Sequence, residues 1–314
     1  MNLRVPITLS IAAVERDTGL SKDTLRVWER RYGFPNPQRD ASGERAYPLE
    51  QVEKLRVIKR LMDAGHRPGR IVATSIEDLQ RLSDSSAALA PRASLTSVAP
   101  ELGSYLALVR SHDLDAVHRQ LAGTLMRLGL GRFITEVVSP LNRLIGDAWM
   151  HGQLEVFEEH LYTEAMQVVL RNAISALPAE ASPGVPRVLL TTFPHESHGL
   201  GLLMAQGMLM LEGCRCVSLG VQTPLWDIVL AATGMRCDVV ALSFSSAPVP
   251  GQVVEALAEL RSKLPASTSL WAGGTAPVLH RRPTPGVLAV DDLGRVPELV
   301  AQWRARHAPS PVAG

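Results

Sequence analysis

Residues 194–201 read Pro-His-Glu-Ser-His-Gly-Leu-Gly, and His195, Glu196 and His198 are side chains that hold metals or move protons. Neutral imidazole is a good ligand for a borderline transition metal. A carboxylate two residues before His198 can accept the proton of the far ring nitrogen, which sets tautomer and basicity. An apolar run ending near Phe193 precedes the stretch and a helical pattern starting near His198 follows it. At the carboxyl end of a strand in a parallel sheet, a side chain faces the ligand crevice. Gly199 and Gly201 leave room for a bulky planar group to approach the backbone. Taken alone, Glu-x-His is a weak signal that more often describes a solvated loop pair.

Two further signals end apolar runs of the same kind: Ser243 and Ser245 in Leu-Ser-Phe-Ser-Ser, and Gly273 and Gly274 in Trp-Ala-Gly-Gly. A third set lies upstream, where Trp149 precedes the pair Glu159 and His160. On one continuous helix a ten-residue step turns about 280°, which separates Trp149 from Glu159. Gly152 as a helix C-cap places Trp149 at the end of one helix and Glu159 with His160 on the next, where all three can line one cavity. The alternative is a buried tryptophan with a surface Glu-His pair. Cys214, Cys216 and Cys237 make no disulfide framework, and the Cys-x-Cys pair in a strand-like run reads as core packing rather than a metal site.

The elements that must position these groups fall into segments of different composition. Residues 1–81 are charged and helical in pattern; 82–98 are rich in Ser, Ala and Pro and read as a flexible linker; 99–180 keep helical apolar spacing throughout, a four-helix-type bundle. Residues 186–307 alternate five short apolar runs with helices, which predicts a doubly wound five-stranded parallel sheet that binds ligands at the carboxyl ends of its strands. The fold class expected is therefore multidomain, α followed by α/β.

In the first segment, Ile11–Glu15 reads as a helix, Gly19 as a turn and Ser21 as the N-cap of a second helix bearing Lys22, Arg26, Arg30 and Arg31. Residues 22–60 hold ten Lys or Arg against six Asp or Glu, while the whole chain balances 32 basic against 31 acidic residues. Any basic face is thus local, and Arg39 and Arg45 in the following loop are placed to reach phosphates. No apolar run reaches about 18 residues, and the amino terminus lacks the apolar stretch of a signal peptide. A cytoplasmic protein with no membrane partner is expected.

The stretch from Thr18 to Ile71, with Leu-Arg-Val-Trp-Glu-Arg-Arg-Tyr-Gly and Arg-Ala-Tyr-Pro-Leu-Glu-Gln-Val-Glu-Lys-Leu, resembles the winged-helix domain of the MerR family over residues 8–76. The resemblance implies a dimeric reader of double-stranded operator DNA, with Lys22, Thr24 and Arg26 near base edges and Arg30, Arg39, Arg45 and Tyr47 on the backbone. Metal-sensing members end in a long dimerisation helix and cysteine ligands, which this chain lacks, so its effector is read elsewhere.

Acid-x-His-x-x-Gly, then a serine pair, then Gly-Gly resembles the cobalamin-binding fold of corrinoid methyltransferases and mutases. It implies that His198 is the lower axial ligand of cobalt, supported by Glu196, and that Gly201, Ser243, Ser245, Gly273 and Gly274 flank the nucleotide tail. Glu196 stands where Asp is more frequent and Ser245 where Leu is usual; neither change removes a ligand. With this fold downstream, Trp-x9-Glu-His resembles the helical cap of light-sensing MerR-type repressors of the CarH and LitR group. That implies Trp149, Glu159 and His160 around the adenosyl group of adenosylcobalamin. In light-sensing members the residue after the tryptophan is a histidine that captures cobalt after photolysis. Here it is Met150, with His151 one step on, a slip of about 100° around the helix.

The function implied is that of a regulator without enzymatic activity, a repressor that assembles into a homo-oligomer of tetramer type with adenosylcobalamin in the dark and is released from DNA by light. The alternatives are a light-independent cobalamin-responsive regulator, a corrinoid methyl-carrier protein, and a pocket for a bilin or haem held by His160, His195 and His198. The helix-turn-helix argues against the methyl carrier.

Overall fold

The computed structural model describes residues 8–40, 42–63, 66–79, 81–82, 99–150, 152–178, 185–194, 196–245 and 250–307. Apart from Leu82, the stretch read as a linker lies outside the described residues, as do His151 and His195. The chain packs as two units: residues 1–96 with 146–155, and residues 97–145 with 156–314. The end of the bundle helix that bears Trp149 therefore belongs with the amino-terminal unit, and the rest of the bundle belongs with the sheet.

In the first unit, β1 (Thr8–Ser10) runs into α1 (Ile11–Thr18), which continues three residues beyond the sequence expectation. The Ser10 hydroxyl accepts the Ala13 N–H, and Gly19, at φ 69°, ends the helix. Ser21 caps α2 (Lys22–Tyr32) by accepting the Thr24 N–H at 3.1 Å, as its position ahead of the basic helix predicts. The wing follows as β2 (Gln38–Arg39) and β3 (Arg45–Pro48), antiparallel in the order β1-β3-β2, then α3 (Leu49–Asp63) and the short α4 (Pro68–Ile71). Val14, Leu25, Trp28, Tyr47, Val52, Leu55 and Ile58 close a core between these elements.

The second unit begins with α5 (Ala99–Arg110), α6 (Leu114–Leu128) and α7 (Leu130–Arg132). A π-helical turn, Phe133–Val138, leads into α8 (Ser139–Met150), whose last turn lies in the first unit, and α9 (Val156–Ser175) completes the bundle. The sheet comprises β4 (Arg187–Thr191), β5 (Arg215–Gly220), β6 (Val239–Phe244), β7 (Ser269–Gly274) and β8 (Val287–Val290). All pairings are parallel and the order is β5-β4-β6-β7-β8. Between them run α10 (Leu200–Leu211), α11 (Leu225–Gly234), α12 (Pro250–Lys263) and α13 (Val278–Arg281), with α14 (Val296–His307) last. Val188, Leu189 and Leu190 are fully buried, as a strand covered on both faces requires. In this order the chain reverses direction across the sheet between β4 and β6, and that gap is the ligand crevice of such folds.

Two boundaries differ from the sequence expectation at this crevice. Strand β4 stops at Thr191 rather than Phe193, because the Thr192 hydroxyl takes the Gln222 N–H at 2.8 Å and donates to the Glu196 carbonyl at 2.6 Å, turning the chain out of the ladder. Helix α10 starts at Leu200 with Gly199 at its N-cap, so His198 stays on the loop.

Candidate functional site

The loop after β4 crosses the crevice and is held from beneath. Thr192 grips the Glu196 backbone, and the Glu196 N–H donates to the Phe193 carbonyl at 3.1 Å. This places the Glu196 side chain, only 2 % exposed, under His198. One carboxylate oxygen lies 2.6 Å from Nδ1 of His198 and also accepts the His198 N–H at 3.0 Å. The other accepts both the N–H and the hydroxyl of Ser245, each at 2.7 Å. Burial pushes the Glu196 carboxyl up, but the bonds from His198 and Ser245 outweigh it and hold the group below the ordinary glutamate value. An ionised Glu196 is acceptor-only, so Nδ1 carries a proton toward it, and in the neutral ring the lone pair is then on Nε2. The His198 side chain is 63 % exposed.

The structure therefore brings Glu196, His198 and Ser245 into one group across the β4–β6 gap. Ser245 braces Glu196, a role its position after β6 did not reveal. Gly201 makes room for a neighbouring side chain: a Cβ there would lie 2.5 Å from Ser243 Oγ. At Gly273 a Cβ would come 3.1 Å from the Val290 carbonyl, and at Gly274, φ 115°, one would lie 2.0 Å from that of Phe244. The ends of β6 and β7 thus approach so closely that only glycine fits at 274, while at 273 a side chain would have to push back the end of β8. Thr191, Thr192 and Thr223 were not singled out in the sequence. Their only signal there was two adjacent threonines ending an apolar run; in the fold Thr191 Oγ1 lies 2.6 Å from Thr223 Oγ1, tying β4 to the loop after β5.

On α9, Glu159 accepts the Thr163 hydroxyl at 2.7 Å, and the His160 ring, 71 % exposed, lies 3.7 Å from the same carboxylate. The buried carboxylate of this helix is Glu158, which pairs with His112 Nε2 at 2.9 Å and anchors the start of α9 to the end of α5. Tyr162 donates to Asn142 Oδ1, while Asn142 Nδ2 lies 3.4 Å from Met204 Sδ, so the bundle is pinned to α10. Trp149 ends α8 as expected: Gly152, at φ 67°, donates to the Trp149 carbonyl at 3.0 Å and Gln153 to that of Ala148 at 2.8 Å, a Schellman termination.

The candidate DNA face lies on α2 and the wing. Lys22 is 3.5 Å from Glu15, Thr24 lies beside the Ser21 cap, and Arg26 pairs with Asp23 at 3.2 Å. Arg39 donates to the Gly43 carbonyl at 2.8 Å across the wing turn, and Arg45 bonds Glu29 through Nε at 2.9 Å. Tyr47 departs from its expected place on the DNA backbone. Its ring is fully buried among the core residues and its hydroxyl has no hydrogen-bond partner among the described residues, because β3 turns that side chain inward under α2. The three cysteines are free; burial pushes Cys214 up to about 11 and Cys216 to about 12, and the described residues hold no cluster of three or more metal-ligating side chains.

A winged helix-turn-helix joined to a helical bundle and a corrinoid-type parallel sheet defines a class of protein, a DNA-binding regulator with a B12-binding domain. Residues 9–73 match the family model of the MerR HTH family regulatory protein, and residues 102–173, the helical bundle, match that of the B12 binding domain. The HTH-type transcriptional repressor CarH of Myxococcus xanthus is 31% identical over 271 residues, spanning 84% of this chain and 87% of that protein. The repressor CarA of the same organism is 31% identical over 253 residues, spanning 80% and 81%. The chain belongs to this family of MerR-type transcriptional repressors with a B12-binding domain, and is a regulator rather than an enzyme. The solved structure of the Methanosarcina barkeri monomethylamine corrinoid protein shares the fold, with TM-score 0.51 at 14% identity over 63% of this chain and 96% of that one. No helix among the described residues is long and apolar enough to cross a membrane.

Proposed function

We propose that the protein represses transcription from operator DNA while it holds adenosylcobalamin and leaves that DNA on illumination. The observation that carries this reading is the Glu196-braced imidazole of His198 at the β4–β6 crevice. The donor set fits a corrinoid: one exposed imidazole whose Nδ1 is bonded to a buried carboxylate, at the strand ends where such folds bind ligands. His198 would be the protein ligand to the cobalt, Glu196 and Ser245 would fix its ring, and Ser243, Gly201, Gly273 and Gly274 would border the nucleotide tail. Glu159 and His160 on α9, with Trp149 assigned by the resemblance, would read the upper ligand. When bound, the cofactor supplies a weak cobalt–carbon bond that light breaks.

Self-association of the loaded protein would raise DNA affinity by avidity, since two heads on one assembly engage neighbouring sites at a high effective concentration. The test is size-exclusion chromatography with adenosylcobalamin in the dark and after green light, following corrinoid absorbance and binding to a duplex selected from random-sequence DNA. A large dark species that binds the duplex, and that shrinks and lets go on illumination, supports the reading. A species that binds cobalamin but ignores light overturns the light step.

A second reading, a light-independent cobalamin-responsive regulator, is favoured by one specific observation, Met150 in the place after Trp149. A thioether is a weaker partner than imidazole for Co(III). In that case dark and illuminated protein bind DNA alike, and only cobalamin supply changes the affinity.

A further inference from the structure

Within the first unit, the end of α8 is clasped by the long helix of the winged-helix fold. The Arg60 guanidinium, in the last turn of α3, donates to the Trp149 carbonyl at 2.6 Å and lies 5.5 Å from the centre of the Trp149 ring. A Cβ on Gly152 would lie 3.7 Å from the same guanidinium nitrogen, so Arg60 packs against the helix termination itself. A cation at a helix carboxyl end meets the negative end of the helix dipole, and its flat face suits an indole. Burial lowers the Arg60 pKa, opposed by the charge of Glu155. One half-buried cation thus grips both the backbone and the ring of Trp149.

The grip continues toward the helix-turn-helix. Arg56, one turn earlier on α3, forms a two-bond pair with Asp17 of α1 at 2.8 and 2.9 Å. Glu15, on the same α1, accepts the Lys22 N–H at 3.1 Å at the start of α2. Each contact joins two elements of the same unit, with α1 and α3 also sharing the apolar core.

We propose that Arg60 is a positioning residue that ties Trp149 to α3, so that the state of the cofactor's upper face at Trp149 is transmitted to the DNA-reading helices. This rests on the assignment of Trp149 to the upper ligand. Arg60 touches neither DNA nor cofactor in this scheme; it sets how strongly the two ligands influence each other. Removing it leaves the His198 site and the surface of α2 unchanged while reducing the linkage between them.

The test measures a ratio: the affinity for a duplex selected by the wild-type protein from random-sequence DNA, with adenosylcobalamin in the dark divided by that without cofactor. The full chain is used as wild type, Arg60→Ala, Arg60→Gln and Arg60→Lys, with cobalamin affinity followed by absorbance and folding by thermal unfolding. In Arg60→Ala and Arg60→Gln the ratio is expected to fall by about fivefold or more, the low end of usual allosteric couplings, while cobalamin affinity and cofactor-free DNA affinity stay within about twofold. Arg60→Gln keeps a donor for the Trp149 carbonyl and serves as the folded variant if alanine unfolds the unit. Arg60→Lys, which keeps the charge, is expected to recover part of the ratio. A wild-type ratio in folded Arg60→Ala or Arg60→Gln overturns the proposal and leaves the functional reading intact. A ratio of one in the wild-type protein itself overturns both.

Discussion

Nδ1 of His198 lies 2.6 Å from a carboxylate oxygen of Glu196, and the other oxygen of that buried carboxylate accepts two bonds from Ser245 on the neighbouring strand end. The imidazole is therefore oriented from two strands at once. Outer-sphere partners of this kind contribute about 10–100-fold to metal affinity. Glu196→Gln is expected to weaken cobalamin binding by that factor and His198→Ala by more, with loss of the absorbance signature of imidazole-bound corrinoid. Wild-type binding by Glu196→Gln would show that the bond does not support the ligand.

Trp149→Ala tests the cap. It is expected to reduce the difference in assembly between adenosylcobalamin and a cobalamin without the adenosyl group, both measured in the dark by size-exclusion chromatography, while cobalamin affinity through His198 persists. Unchanged assembly counts against the assignment.

The glycines of the crevice differ in what an added methyl group meets. At Gly274 it meets the Phe244 carbonyl at 2.0 Å with φ at 115°, and neither backbone can yield. Gly274→Ala is expected to cost about 2–4 kcal/mol, a fall of roughly 5–15 °C in Tm for a unit of this size. Gly201→Ala meets only the rotatable Ser243 hydroxyl, so its Tm falls far less, and Ser243→Ala restores it. Equal losses in the two variants would contradict this distinction.

On the DNA face, Arg30 is expected to act through phosphate: Arg30→Ala leaves Tm unchanged, weakens DNA binding on all sequences and lowers the salt slope by about one unit. Tyr47→Phe separates burial from DNA contact. Because the Tyr47 hydroxyl is buried without a described partner, its loss is expected to leave DNA affinity unchanged and Tm unchanged or higher. A specific loss of DNA affinity in Tyr47→Phe would return that hydroxyl to the DNA backbone.

Burial, which raises the Cys214 and Cys216 thiols to about 11 and about 12, keeps them protonated at pH 8. Only the thiolate reacts, and raising a pKa lowers its fraction at any pH below that value. Alkylation by iodoacetamide at pH 8 is expected to run at least about 100-fold slower in the folded protein than in guanidinium. Rapid labelling of the native protein would place these thiols at the surface.

Local chemistry was legible in the sequence wherever it acts between near neighbours. Ser21 capping α2, Gly19 and Gly152 ending helices, Glu196 two residues from His198, and the five apolar runs of the sheet all follow from spacing, because turn geometry and side-chain reach are set within a few residues. Strand order, the inward turn of Tyr47, the bond from Ser245 to Glu196 across 49 positions and the grip of Arg60 on Trp149 across 89 were decided only by the tertiary structure. Those depend on which elements pack side by side, and a carboxylate or a guanidinium finds its distant partner only where burial removes water as the competing one.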